Sequence, residues 1–84
     1  MKFAKLFDVK DTQVLYLLSH YTDGRPAIQV LTTHEGKAID MYICSQDHGP
    51  EAFQVIQDHF ESLTQKDAEN QYERIVSSLN RSIA

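Results

Sequence analysis

Two turn signals, Asp23-Gly24 and Glu35-Gly36, punctuate a run of strand-like sequence. The tightest hairpins need positive φ at both central residues, and glycine supplies it without steric cost. The flanking runs "QVLYLLSHY" (13–21), "PAIQVLTT" (26–33) and "KAIDMYICS" (37–45) are rich in Val, Ile, Leu and Tyr and alternate as strands do. Three strands joined by two short turns make an antiparallel meander. "FAKLFDV" (3–9), followed by the turn "KDT", supplies a fourth strand.

The turns imply a register. With Asp23 and Gly24 as a two-residue loop, Thr22 faces Arg25. With Glu35 and Gly36 as another, His34 faces Lys37. Paired residues share a face, and successive residues alternate. The predicted core face then holds Leu15, Leu17, Ile28, Val30, Ile39, Met41 and Ile43. The predicted open face holds Val14, Tyr16, Leu18, His20, Leu31, Asp40, Tyr42 and Cys44. A two-residue turn at Lys10-Asp11 adds Phe3, Lys5, Phe7 and Val9 to the open face.

After residue 45 the hydrophobic period changes. Phe53, Ile56, Phe60 and Leu63 recur at helical spacing, as do Ala68, Tyr72, Ile75, Val76, Leu79 and Ile83. At about 100° per residue the two stripes point roughly 130° apart, so one straight helix does not serve both. Thr64 and Asp67 fit a capping box at the break. Helices are predicted over about 50–63 and 65–81. In "CSQDHGPEA" (44–52), Gly49 reads as the N-cap and Pro50 as the first helical residue. Two helices side by side match the width of a four-stranded sheet. The expected fold is α+β: a four-stranded antiparallel meander followed by two C-terminal helices packed on one face, ββββαα, in a single domain spanning 1–84.

Composition narrows the function. The net charge is −4, and the excess acid lies in the second half, where Lys66, Arg74 and Arg81 face Asp47, Glu51, Asp58, Glu61, Asp67, Glu69 and Glu73. Such helices repel phosphate backbones, so no nucleic-acid partner is expected. No apolar run approaches the roughly 20 residues of a membrane span. With one cysteine, and with Lys5 and Asp8 interrupting the region where a signal peptide would be apolar, the chain reads as cytoplasmic. There is no Gly-rich phosphate loop, G-x-S-x-G, H-E-x-x-H or EF-hand pattern. No catalytic residue and no cofactor is assigned, and the chain reads as non-enzymatic.

Two candidate sites emerge. The first is an interaction face of Phe3, Phe7, Tyr16, Leu18, Leu31 and Tyr42 on the open side of the sheet. Apolar patches of that extent mark interaction sites. The leading function is therefore a small interaction module that forms a homodimer or binds a protein partner, through this face or an exposed sheet edge. A helix crossing to the open side would cover the patch, and a three-residue first loop would turn Phe3 and Phe7 inward. The second candidate is His20, Cys44 and His48. The register sets His20 and Cys44 in one row, roughly 10 Å apart across Ala27, and His48 follows closely. It would make the chain a small metal- or thiol-dependent protein.

Overall fold

The computed structural model describes residues 3–83, with side chains through Arg81. Met1, Lys2 and Ala84, the ends of the 1–84 span, lie outside the described residues, as does the side chain of Ile83. Four strands precede two helices: β1 (Ala4–Val9), β2 (Thr12–His20), β3 (Pro26–His34), β4 (Lys37–Cys44), α1 (Pro50–Ser62) and α2 (Gln65–Ile83). The strands form one antiparallel sheet in the order β1-β2-β3-β4. This is the ββββαα architecture that the periodicity predicts. The molecule measures 39 × 26 × 17 Å, and its thin dimension is one sheet plus one helix layer. No described helix is long and apolar enough to cross a membrane.

Two of the three hairpins have the expected register. Val9 pairs with Thr12 around Lys10-Asp11, and His34 pairs with Lys37 around Glu35-Gly36. Glu35 (φ 52°) and Gly36 (φ 77°) are both left-handed, as a tight two-residue hairpin requires.

The middle hairpin differs by one residue. The Tyr21 N–H donates to the Arg25 carbonyl at 2.8 Å, so the loop is Thr22-Asp23-Gly24 rather than Asp23-Gly24. The Gly24 N–H returns to the Tyr21 carbonyl at 2.9 Å, and Gly24 takes φ 89°. That is the three-residue loop with a left-handed glycine. Asp23 sets it: Oδ1 accepts the Arg25 N–H at 3.1 Å, and Oδ2 accepts the Arg25 Nε–H at 2.8 Å. Leu15 therefore pairs with Leu31, and Tyr16 with Val30.

A one-residue slip reverses every side chain beyond it. β1 and β2 turn over together relative to β3 and β4. The helix side of the sheet carries Val9, Val14, Tyr16, Ile28 and Val30, all buried. Onto them pack Ile56 and Phe60 of α1, Leu63 at its end, and Ala68 and Tyr72 of α2.

The helix boundaries follow from end chemistry. Gly49 is the extended N-cap of α1 and Pro50 opens it. Leu63 breaks the chain with an extended backbone (φ −63°, ψ 131°). Thr64 starts α2: its N–H donates to Asp67 Oδ2 at 2.8 Å, and its Oγ1 receives the Asp67 N–H at 3.4 Å. This is a capping box with aspartate in the usual glutamate place. Lys5 explains a charge on the core side. Its Nζ donates to the carbonyls of Glu61 (2.7 Å) and Leu63 (3.2 Å) and sits 5.4 Å from the Phe60 ring centre. A cation there satisfies carbonyls left over at the end of α1 and complements the helix dipole.

Candidate interaction face

The face that the helices leave uncovered is built from odd-numbered positions of β3 and even-numbered positions of β1 and β4, opposite odd positions of β2. One row runs Leu6–Leu15–Leu31–Asp40 across all four strands. The next runs Ala4–Leu17–Gln29–Tyr42. Leu6 is 57 % exposed, and Leu15, Leu17, Leu31 and Tyr42 are half-buried, Tyr42 partly by the Tyr21 ring at 5.2 Å. A shallow hollow of about 670 Å³ lies against Leu6, Leu15 and Leu31, rimmed by Asp8, Gln13 and Thr33. Two carboxylates of this face, Asp40 in the first row and Asp8 beyond it, are engaged within the face. Asp8 accepts from Gln13 Nε2 and Asp40 from Gln29 Nε2, each at 3.0 Å. The apolar band is thus free of an unpartnered acid.

The residues expected to share the open face are divided between the two sides. Leu31 and Tyr42 lie on it. Phe7, Tyr16 and Leu18 lie on the helix side, where Phe7 and Leu18 pack against the core and Tyr16 is 1 % exposed. Phe3 shares that side, since the Leu18 N–H donates to the Phe3 carbonyl at 2.9 Å, but it stays 58 % exposed at the sheet edge. Burial pushes the Tyr16 phenol up to about 12, with the Asp67 carboxylate adding to the shift. In their place the open face receives Leu6, Leu15 and Leu17, which the two-residue loop would have put in the core. One signal in the sequence favours this arrangement. An aspartate two residues before a backbone N–H it can bond is the local pattern of a wider turn, and Asp23 stands so relative to Arg25.

His20, Cys44 and His48 do not come together. The same slip puts His20 opposite Pro26 and leaves Cys44 opposite Ala27, so the two fall on different sides of the sheet. The His20 ring stacks on Phe53 at 6.5 Å. His48 donates from Nε2 to the Asp23 carbonyl at 3.1 Å, tying the segment before α1 to the β2–β3 loop. Arg25 reinforces that tie through the Ser45 carbonyl at 3.1 Å. Among the described residues no group of three or more His, Cys, Asp or Glu side chains is placed to hold a metal. His34, which precedes the Glu35-Gly36 turn, is half-buried and bonds the Tyr72 hydroxyl through Nδ1 at 2.8 Å. No family model matches the chain, and neither the curated proteins nor the solved structures contain a significant match to it.

Proposed function

We propose that the protein is a small non-enzymatic interaction module that self-associates through the open face of its sheet. The observation that carries this reading is the row Leu6–Leu15–Leu31, flanked by Leu17 and Tyr42, on the side no helix covers. Exposed Leu6 and half-buried Leu15 and Leu31, adjacent on three strands, withdraw their remaining apolar surface from water only when something covers them. Each Å² covered contributes about 25 cal/mol. A second copy is the simplest cover, because closed two-fold symmetry pairs a patch with itself.

The face is small. Four strands at about 4.8 Å and six residues at about 3.3 Å give a footprint of roughly 400 Å² per copy. Two such footprints fall below the roughly 1,200 Å² at which stable interfaces begin. The dimer is accordingly a weak, concentration-dependent one. The acidic second half speaks for a protein rather than a nucleic-acid partner. The single cysteine speaks for a reducing, cytoplasmic setting.

Sedimentation equilibrium over a concentration series tests this. The parent chain is expected to show reversible dimerisation. Leu6→Glu and Leu31→Glu should make it monomeric while circular dichroism and melting temperature stay near the parent's. A parent that remains monomeric throughout, or a dimer indifferent to both substitutions, would contradict the reading.

A further inference from the structure

The edge of the sheet at β4 offers a second surface. The Ser45 N–H donates to the Pro26 carbonyl at 3.0 Å, which fixes the hydrogen-bonding phase of the β3–β4 ladder. Residues 37, 39, 41 and 43 turn their backbone groups toward β3. Ala38, Asp40, Tyr42 and Cys44 turn theirs outward, along an edge with no further strand beside it. The other edge is partly closed, because the amide of Gln65 donates to the outward carbonyl of Asp8. No described side chain does this for β4. Its open length is about seven residues, from Ala38 to Cys44, with a single charge, Asp40. Free edges of that kind are templates for another strand.

Beside this edge the helices diverge. Between the end of α1 and the second half of α2 lies a groove of about 770 Å³ floored by Ile39, Met41 and Ile43. These are the residues of β4 that alternate with the outward-bonding ones. His59 and Leu63 form one wall, and Arg74 and Leu79 belong to the other. Asp67 also lines it, but its carboxylate is taken up by the Thr64 N–H and hydroxyl. Arg74 makes no ion pair among the described residues.

We infer that the β4 edge and this groove together take an extended peptide segment of a partner protein as a fifth strand. Backbone pairing to Ala38, Asp40, Tyr42 and Cys44 holds the segment, and its alternate side chains enter the groove beside Ile39, Met41 and Ile43. Edge strands bind peptides by this division of labour, main chain for affinity and alternate side chains for selectivity. The charges define the occupant further. An acidic residue on the groove side meets Arg74, whereas Asp40 is already taken up by Gln29 Nε2. A second copy fits poorly, because the groove-side positions of another β4 are Lys37, Ile39, Met41 and Ile43, which bring a cation and no acid toward Arg74. The groove lies on the opposite side of the sheet from the leucine face, although the edge residues Asp40 and Tyr42 carry their side chains on that face.

Selection from a displayed library of short peptides, followed by amide and methyl NMR mapping of a selected peptide, tests it. Selected sequences should alternate apolar residues with polar ones and carry an acidic residue among the apolar set. Bound peptide should shift the amides of Ala38, Asp40, Tyr42 and Cys44 and the Met41 methyl, and leave the Leu6 and Leu15 methyls unmoved. Arg74→Glu should weaken binding about threefold, the size of an exposed ion pair, and a lysine in place of the peptide's acid should restore it. Asp40→Pro removes one outward N–H without touching the β3 ladder, and should abolish binding in a chain that still folds. The inference is overturned if no alternating sequence is selected, or if binding maps to the leucine face. It is also overturned if the outward amides are already protected without peptide and lose that protection on dilution, which would assign the edge to a second copy.

Discussion

Tyr16 and Lys5 show how side chains reconcile polar groups with the helix side of the sheet. Lys5 reaches the carbonyls that end α1 and so replaces hydration with two hydrogen bonds. Tyr16 keeps its proton. Its folded pKa is raised to about 12 by burial and by Asp67, whereas an exposed tyrosine titrates near 10. The folded state therefore holds this proton over a range in which the unfolded chain has lost it. Its contribution to stability is full below about pH 10 and is lost as pH rises toward about 12. Denaturation measured across that range should show a steeper alkaline loss in the parent than in Tyr16→Phe; equal slopes would mean Tyr16 is not shielded as described. Asp67 acts in the opposite direction at low pH. Two bonds from Thr64 hold its carboxyl below the ordinary range, so its stabilisation is present above the unfolded value and is lost as pH falls through the folded one.

The β2–β3 hairpin decides which side of the molecule each strand presents. Gly24 is left-handed at 89°, with open space where a Cβ would go, so Gly24→Ala should cost about 1–2 kcal/mol through backbone strain alone. Deleting Thr22 is a sharper test. It leaves Asp23-Gly24 as a two-residue loop closing the same Tyr21–Arg25 pair. The shortened chain should fold with an unchanged hydrogen-exchange pattern, whereas a hairpin that already used the two-residue loop would have its faces reversed and lose its packing. This hairpin also marks where the sequence stopped being legible. Strand order, both helices, the Pro50 entrance and the Thr64 capping box follow from periodicity and end chemistry, which are local. The register of β2 does not, because "VLYLL" is apolar on both faces. Val14, Tyr16 and Leu18 make as good a core as Leu15 and Leu17, so alternation could not choose between them. The choice fell to the Asp23–Arg25 bonds, and Phe7 and Val9 followed β2 as its paired neighbours.

The whole molecule is a two-layer structure with three unequal surfaces: a helix layer with acidic outer positions, an open sheet face banded with leucine, and one uncapped edge beside a groove. A small domain buries a limited share of its surface on folding. Phe3, Val55 and Leu79 stay exposed singly, whereas four leucines share one side of the sheet. Leu6, Leu15, Leu17 and Leu31 are adjacent because the three-residue loop stacks two leucine-bearing strands on the same side as Leu31. The measurement that tests this account most directly is methyl NMR of the parent protein over a dilution series. The methyl resonances of Leu6, Leu15, Leu17 and Leu31 should move together with concentration, while those of Ile28 and Val30 beneath the helices stay fixed. Leucine resonances that do not change with concentration, or changes centred on Ile28 and Val30 instead, would contradict it.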